Sequence, residues 1–218
     1  MIIFSCNNSD KTSSKDVNPE NVFLDYKISG EGGNDFVTCM FQFKYGGANG
    51  TSLVLDEPAK VQLDGETLQA DSTNFTGAYY EVQKPLDEFG GKHTISFFAS
   101  DNKVYSEIFE FSPFSLAEEL PKSVERKDII MRLHGLKPLD HLIVIITDTA
   151  FTSNDVHEID TVRDGTLIIE ASQLQDIVGG PVVVQLIKEE VQPVKKGTRA
   201  GGRISISYGL KREIELKD

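Results

Sequence analysis

Between Val22 and Phe111 apolar residues recur at every second position in short runs, and Gly, Asn, Asp or Pro breaks the alternation about every ten residues. Period-two alternation bounded by turn residues is the pattern of half-buried β-strands. It predicts a strand over Val22 to Ser29, closed by Gly30, Gly32 and Gly33, and another over Asp35 to Tyr45. In the latter Val37, Cys39, Phe41 and Phe43 share one face, with Thr38, Gln42 and Lys44 on the other. The segment Ala59 to Leu68 reads as a hairpin around Asp64-Gly65, a pair that tolerates the positive φ of a tight turn. Ala78 to Gln83, His93 to Ser100 and Val104 to Phe111 complete a set of short strands of the kind that forms a sandwich.

The pattern stops at Ser112-Pro113-Phe114, where a domain boundary is expected, and Leu116 to Leu120 reads as one helical turn ahead of Pro121. Alternation resumes at Asp128 to Leu133. His141 to Thr147 is a continuous apolar run, consistent with a strand covered on both faces. Thr166 to Glu170, Val182 to Glu190 and Arg203 to Tyr208 follow, and Glu213 to Leu216 closes or extends the last. No helical periodicity spans ten residues. The fold class expected is therefore all-β, two sandwich domains in tandem over residues 21–112 and 113–218.

The first twenty residues differ from both halves. Met1 to Phe4 are largely apolar, Ser5 is small, and Cys6 follows. From Asn7 to Glu20 the chain is too polar to bury a core and reads as a tether. Ile3-Phe4-Ser5-Cys6 resembles the lipobox of bacterial lipoproteins, in which the cysteine receives a diacylglycerol. That resemblance makes Cys6 the lipidation candidate and implies an outer-membrane lipoprotein of a bacterial cell envelope. A secretory signal carries a basic start and a longer apolar stretch, of which Met1 to Phe4 would be the end.

Composition narrows the partners. The formal net charge is -12, against the clustered cations that phosphate binding requires, so nucleic acid is not expected. The densest basic stretch, Lys195, Lys196, Arg199 and Arg203, is interleaved with Gly197, Gly201 and Gly202 and reads as a mobile loop. With two cysteines, Cys6 and Cys39, there is no disulfide framework. Cys39 lies on the apolar face of its strand and reads as a small buried hydrophobe rather than a reactive thiol.

In the second half, Leu133-His134-Gly135-Leu136-Lys137-Pro138, Ile143 to Thr147, Gly165-Thr166-Leu167-Ile168-Ile169, Leu174 and Gly179-Gly180-Pro181-Val182-Val183-Val184 resemble, in their order, an immunoglobulin-like domain of Bacteroidetes lipoproteins. In the first half Val61 to Leu68 and Gly91-Lys92-His93-Thr94-Ile95 are similar to parts of a bacterial immunoglobulin-like module. The paired cysteines and buried tryptophan of antibody domains are absent, so the kinship is architectural. The resemblance implies two immunoglobulin-like β-sandwich domains in tandem and fixes no function. It also brings in an O-glycosylation pattern, Asp followed by Ser or Thr and then an aliphatic residue or Thr. Asp71-Ser72-Thr73, Asp148-Thr149-Ala150 and Asp160-Thr161-Val162 match, making Ser72, Thr149 and Thr161 the acceptors.

No nucleophile elbow, phosphate loop, zinc-protease motif or dinucleotide fingerprint occurs. The expectation is a non-enzymatic protein without cofactor, acting as a binding or spacer module for a protein or glycan partner, and membrane-associated through its lipid alone. His93, His134, His141 and His157 are scattered and read as surface or strand-end residues. Asp155, His157, Glu158, Asp160 and Asp164 form an oxygen-rich stretch with the ligand types calcium takes, though without the fixed order of a calcium loop. Their alternative readings are an acidic solvated turn and a calcium-dependent enzyme or adhesion domain. A carbohydrate-binding reading needs flat aromatic platforms. There is no tryptophan, leaving Tyr79, Tyr80 and Tyr105, of which the adjacent pair must face opposite ways. Contact is expected at the loops Ala150 to Asp164 and Val191 to Gly202, or at an exposed sheet edge.

Overall fold

The alternating run Val37, Cys39, Phe41 and Phe43 is fully buried along one strand, and its partners across the ladder, Ile28, Tyr26 and Leu24, are buried with it. The structure, a computed structural model, describes residues 12–73, 77–148 and 155–217. Its strands are β1 (Thr12–Ser13), β2 (Val22–Gly32), β3 (Phe36–Tyr45), β4 (Thr51–Val54), β5 (Lys60–Leu63), β6 (Glu66–Thr67), β7 (Ala70–Thr73), β8 (Gly77–Pro85), β9 (Gly91–Phe98) and β10 (Val104–Phe111). They continue with β11 (Ser115–Leu116), β12 (Ser123–Glu125), β13 (Ile129–His134), β14 (His141–Asp148), β15 (Val156–Thr161), β16 (Thr166–Ile169), β17 (Gly180–Pro193) and β18 (Gly202–Lys217). Short 3-10 turns occur at Ser14–Asp16, Pro19–Asn21 and Ala171–Leu174. The chain is all-β, its strands gathered into the sheets described below.

Two compact units share the chain, and neither is a single stretch of sequence. One holds residues up to Ser29, Phe36–Phe111 and Glu190–Ile206; the other holds Gly30–Asp35, Ser112–Glu189 and Ser207–Asp218. A division at residue 112 thus separates the two middle segments, while residues 30–35 and 190–206 each belong to the unit on the other side of that line.

In the first unit β3 is central to one sheet, paired antiparallel with β2, β4 and β8, and β7 extends it beyond β8. The second sheet runs β10-β9-β5-β6. Phe43 from the first sheet meets Phe97 from the second at 4.6 Å between ring centroids, and Tyr26 packs edge-on to Phe41 at 5.1 Å. Aromatic burial of this kind supplies most of such a core. The expected Asp64-Gly65 turn is present, with φ of 50° and 87°. Burial pushes the Cys39 thiol up to about 12, in keeping with a small hydrophobe inside the core.

The expected polar tether is shorter than read. From Thr12 onward the chain is docked on the first unit: β1 runs parallel to β4, Ser14 is buried, the Ser13 hydroxyl donates to the Asp56 carboxylate at 2.5 Å, and the Asp56 amide donates to the Ser14 hydroxyl. Serines that look solvated in sequence are holding partners 42 and 43 residues away.

In the second unit β14 pairs with β15 on one side and with β17 on the other. Facing sheet β11-β13-β16 contributes Ile129, Met131, Leu133, Leu167 and Ile169 to the core, against Leu142, Val144 and Ile146. Ile143 and Ile145, expected to be covered, are only half-buried. Residues 117–122 are irregular, with bends at 117, 118 and 122, rather than the expected helical turn, because Ser115-Leu116 is drawn into pairing with Leu133 and His134.

Candidate functional site

The turn Arg163-Asp164-Gly165-Thr166 starts a β-hairpin that does not continue. The Arg163 amide donates to the Thr166 carbonyl at 2.9 Å, and the Thr166 amide returns the bond at 2.8 Å. Asp164 and Gly165 have φ of 49° and 72°, the left-handed pair that a two-residue hairpin turn demands. Beyond this bridge the arms part, β15 joining β14 and β16 joining β13. Between them lies a groove of about 370 Å³ lined by Ile159, Asp160, Thr161, Arg163, Thr166, Ile168 and Glu170.

Each arm is the terminal strand of its sheet. Ile159 is 72% exposed and Ile168 is 47% exposed, beside the exposed Ile130 with which Ile168 is paired. Isolated exposed isoleucines are ordinary; one at each of two neighbouring sheet margins beside a groove, with Ile130 next to the second, are less so.

The candidate metal residues fall in this region but do not converge. What was read as an acidic loop is largely the strand β15, which sets His157 on one face and Glu158 and Asp160 on the other. The Gln173 side-chain amide donates to the carboxylates of Glu158, at 2.6 Å, and Asp160, at 3.4 Å. Asp155 precedes the strand, and Asp164 sits in the turn. Among the described residues no three His, Cys, Asp or Glu side chains are grouped to hold a metal ion.

The aromatic candidates are also separated. Tyr80 is buried, its hydroxyl accepting from the Leu55 amide at 2.7 Å, whereas half-buried Tyr79 points the other way and donates to Asp71. Tyr105 stacks on Phe97 and donates to Glu20 at 3.0 Å. His93, read as a surface or strand-end residue, lies near the start of β9, half-buried, stacked 3.8 Å from Phe89 and bonded to Asp64 and to the Phe89 carbonyl. His134, His141 and His157 are exposed. Of the glycan acceptors, Ser72 lies on β7 and Thr161 on β15, where its hydroxyl meets His141 at 3.0 Å. Thr149 and Cys6 lie outside the described residues.

The basic segment after Val191 is fastened rather than mobile. The Lys195 and Lys196 amides donate to the Glu107 carboxylate at 2.6 and 3.0 Å, the Arg199 amide to Glu20 at 3.2 Å, and the buried Thr198 hydroxyl to the Val22 carbonyl at 2.5 Å. Lys103, Tyr105 and the Arg199 amide together hold the Glu20 carboxyl below the usual range. Below the segment, Arg203 grips the buried Asp25 with two bonds of 2.8 and 3.0 Å, and Lys44 adds a third at 2.8 Å. Sequence offered no signal for these contacts, since the partners lie up to 179 residues apart.

No family model matches the chain, and no curated protein matches it. Among solved structures it is similar to the crystal structure of DIP-gamma IG1+IG2, with 12% identity, a TM-score of 0.25, and coverage of 85% of this chain and 94% of that one. The architecture of this chain is read from its own strand pairing.

Proposed function

We propose that this chain is a non-enzymatic binding module whose contact site is the groove between β15 and β16. One observation carries the reading: two sheet margins, each with an exposed isoleucine, open side by side from a single hairpin turn. Recognition by sheet edges needs main-chain groups without ladder partners and a few apolar anchors, and among the described residues this region offers both.

The test is a photo-crosslinking residue placed at Ile159 or Ile168, with the exposed Lys211 as control. The expected result is one adduct of defined mass at both groove positions and none at Lys211. Its partner, once purified, should bind the unmodified protein and lose that binding to Ile168→Asp. Adducts equal at all three positions, or a purified partner indifferent to Ile168→Asp, overturn the reading.

Membrane attachment through a diacylated Cys6 in a bacterial envelope belongs to the same proposal, supported by the lipobox resemblance. Because the chain is docked from Thr12, five residues would separate the lipid from the first unit, at most about 20 Å of extended chain. The module would then work close to the bilayer. The mass of the N-terminal peptide from membranes of the native host decides it: diacylglycerol on Cys6 supports the anchor, and an unmodified thiol removes it.

A further inference from the structure

Resting on the groove reading, we propose that the occupant is an extended basic segment of a partner protein, added to β15 as a further β-strand.

The phase of the backbone on both arms supports this. In an antiparallel ladder the main-chain N–H and C=O of alternate residues face the partner strand, and those of the residues between them face away. The Val162 amide donates to the Asp140 carbonyl at 2.8 Å, so Val162, Asp160 and Glu158 direct their main-chain groups to the β14 side. His157, Ile159 and Thr161 therefore direct theirs outward. On the other arm the Leu133 amide donates to the Gly165 carbonyl at 2.7 Å, which turns Gly165, Leu167 and Ile169 toward β13 and Ile168 away from it. Extending the Arg163–Thr166 bridge by two residues would pair Thr161 with Ile168, and by four would pair Ile159 with Glu170. Neither pair is formed among the described strands. These four residues are part of the groove lining, and the Glu170 amide is already engaged by the Gln173 side chain at 2.6 Å. Among the described residues the free edge is thus mainly that of β15, with the three alternate residues His157, Ile159 and Thr161 turned outward, while Ile168 offers an apolar contact across the gap.

Charge selects the class of strand. Glu158 and Asp160 lie on one face of β15, bridged by the neutral amide of Gln173, and Glu170 stands at the end of the opposite arm. Arg163 in the turn and Arg132 beside Thr166 are the nearby cations. A second copy pairing through β15 would bring Glu158 and Asp160 against their own counterparts, and like charges across a ladder destabilise it. The net charge of -12 opposes that encounter further. Inward-turned carboxylates are a recognised guard against self-pairing of an edge. The same carboxylates favour a strand carrying Lys or Arg at alternate positions, with apolar residues between them to meet Ile159 and Ile168.

The test uses the whole chain and the capped peptide Lys-Val-Lys-Val-Lys-Val-Lys as probe. Expected are slowed amide exchange at Ile159 and Thr161 on binding, loss of that binding when alternate peptide amides are N-methylated, and binding about tenfold weaker when Glu replaces Lys. Charge reversal with Glu158→Lys and Asp160→Lys should invert the Lys-over-Glu preference, and circular dichroism checks that the variant is folded. A peptide that leaves the Ile159 and Thr161 amides unprotected, or binds equally well when N-methylated, overturns strand addition. A groove-specific crosslink with no such protection would leave the binding site standing and remove only the basic strand. A protected edge with no native crosslink would do the reverse.

Discussion

Asp25 carries a full charge inside the first unit, its side chain without solvent exposure. Burial raises its carboxyl, but the paired Arg203 guanidinium and the Lys44 ammonium overcome that and hold it below the usual carboxylate range. A depressed folded value stabilises the fold above the unfolded value, about 4, and that stabilisation is lost as pH falls through the folded value. Acid titration followed by circular dichroism should therefore show stability falling below about pH 4 with a component that Asp25→Asn removes. Arg203→Ala leaves the carboxylate with Lys44 alone and should destabilise the protein by about 3 kcal/mol at neutral pH, measured by urea unfolding. Arg203 had looked like one more cation in a glycine-rich loop. Nothing in local sequence marks its partner 178 residues away.

At the scale of elements, the turn after β13 shows how a short segment can be fixed by a distant backbone. Gly135 has φ of 85°, and a Cβ there would stand 2.6 Å from the Pro113 carbonyl oxygen. Gly135→Ala should thus cost about 2 kcal/mol, read from the shift in urea midpoint, whereas Gly90→Ala, with open space around it, should leave the midpoint nearly unchanged. Strands with one buried face were legible because the core imposes period two on them: Phe36–Tyr45, Val104–Phe111 and Ile129–His134 lie within about a residue of their expected places. β15 was not legible. Its core-side positions after Val156 are Glu158 and Asp160, at a sheet margin where water and Gln173 take the place of apolar neighbours. The stretch was consequently read as an acidic turn or a loop with calcium ligands, whereas Val156–Thr161 is a strand.

For the molecule as a whole, the exchange of segments between units matters more than the count of strands. The first unit includes Val194, Thr198 and Ile204, all buried, and the Arg203 that neutralises Asp25. A fragment of residues 12–112 lacks them, and its amide NMR spectrum should show the narrow dispersion of a chain without fixed packing. Supplying residues 190–206 as a peptide should recover dispersion in part. A well-dispersed spectrum from the fragment alone would mean that residues 12–112 suffice. Sequence periodicity cannot display such an exchange, because it reports which face of a strand is buried and not which neighbours bury it.

The late position of Glu190–Ile206 also sets a timetable for synthesis. After Phe111 leaves the ribosome, about 95 more residues must be made before Ile206 follows, a wait of roughly 5 to 20 seconds at ordinary elongation rates. Throughout that interval Asp25 is without Arg203, and the nascent first unit is without its last segment. The second unit ends later still, with Ser207–Asp218. Both units are therefore finished within a dozen or so residues of each other, and the nascent chain must be kept from aggregating until Ser207–Asp218 has emerged.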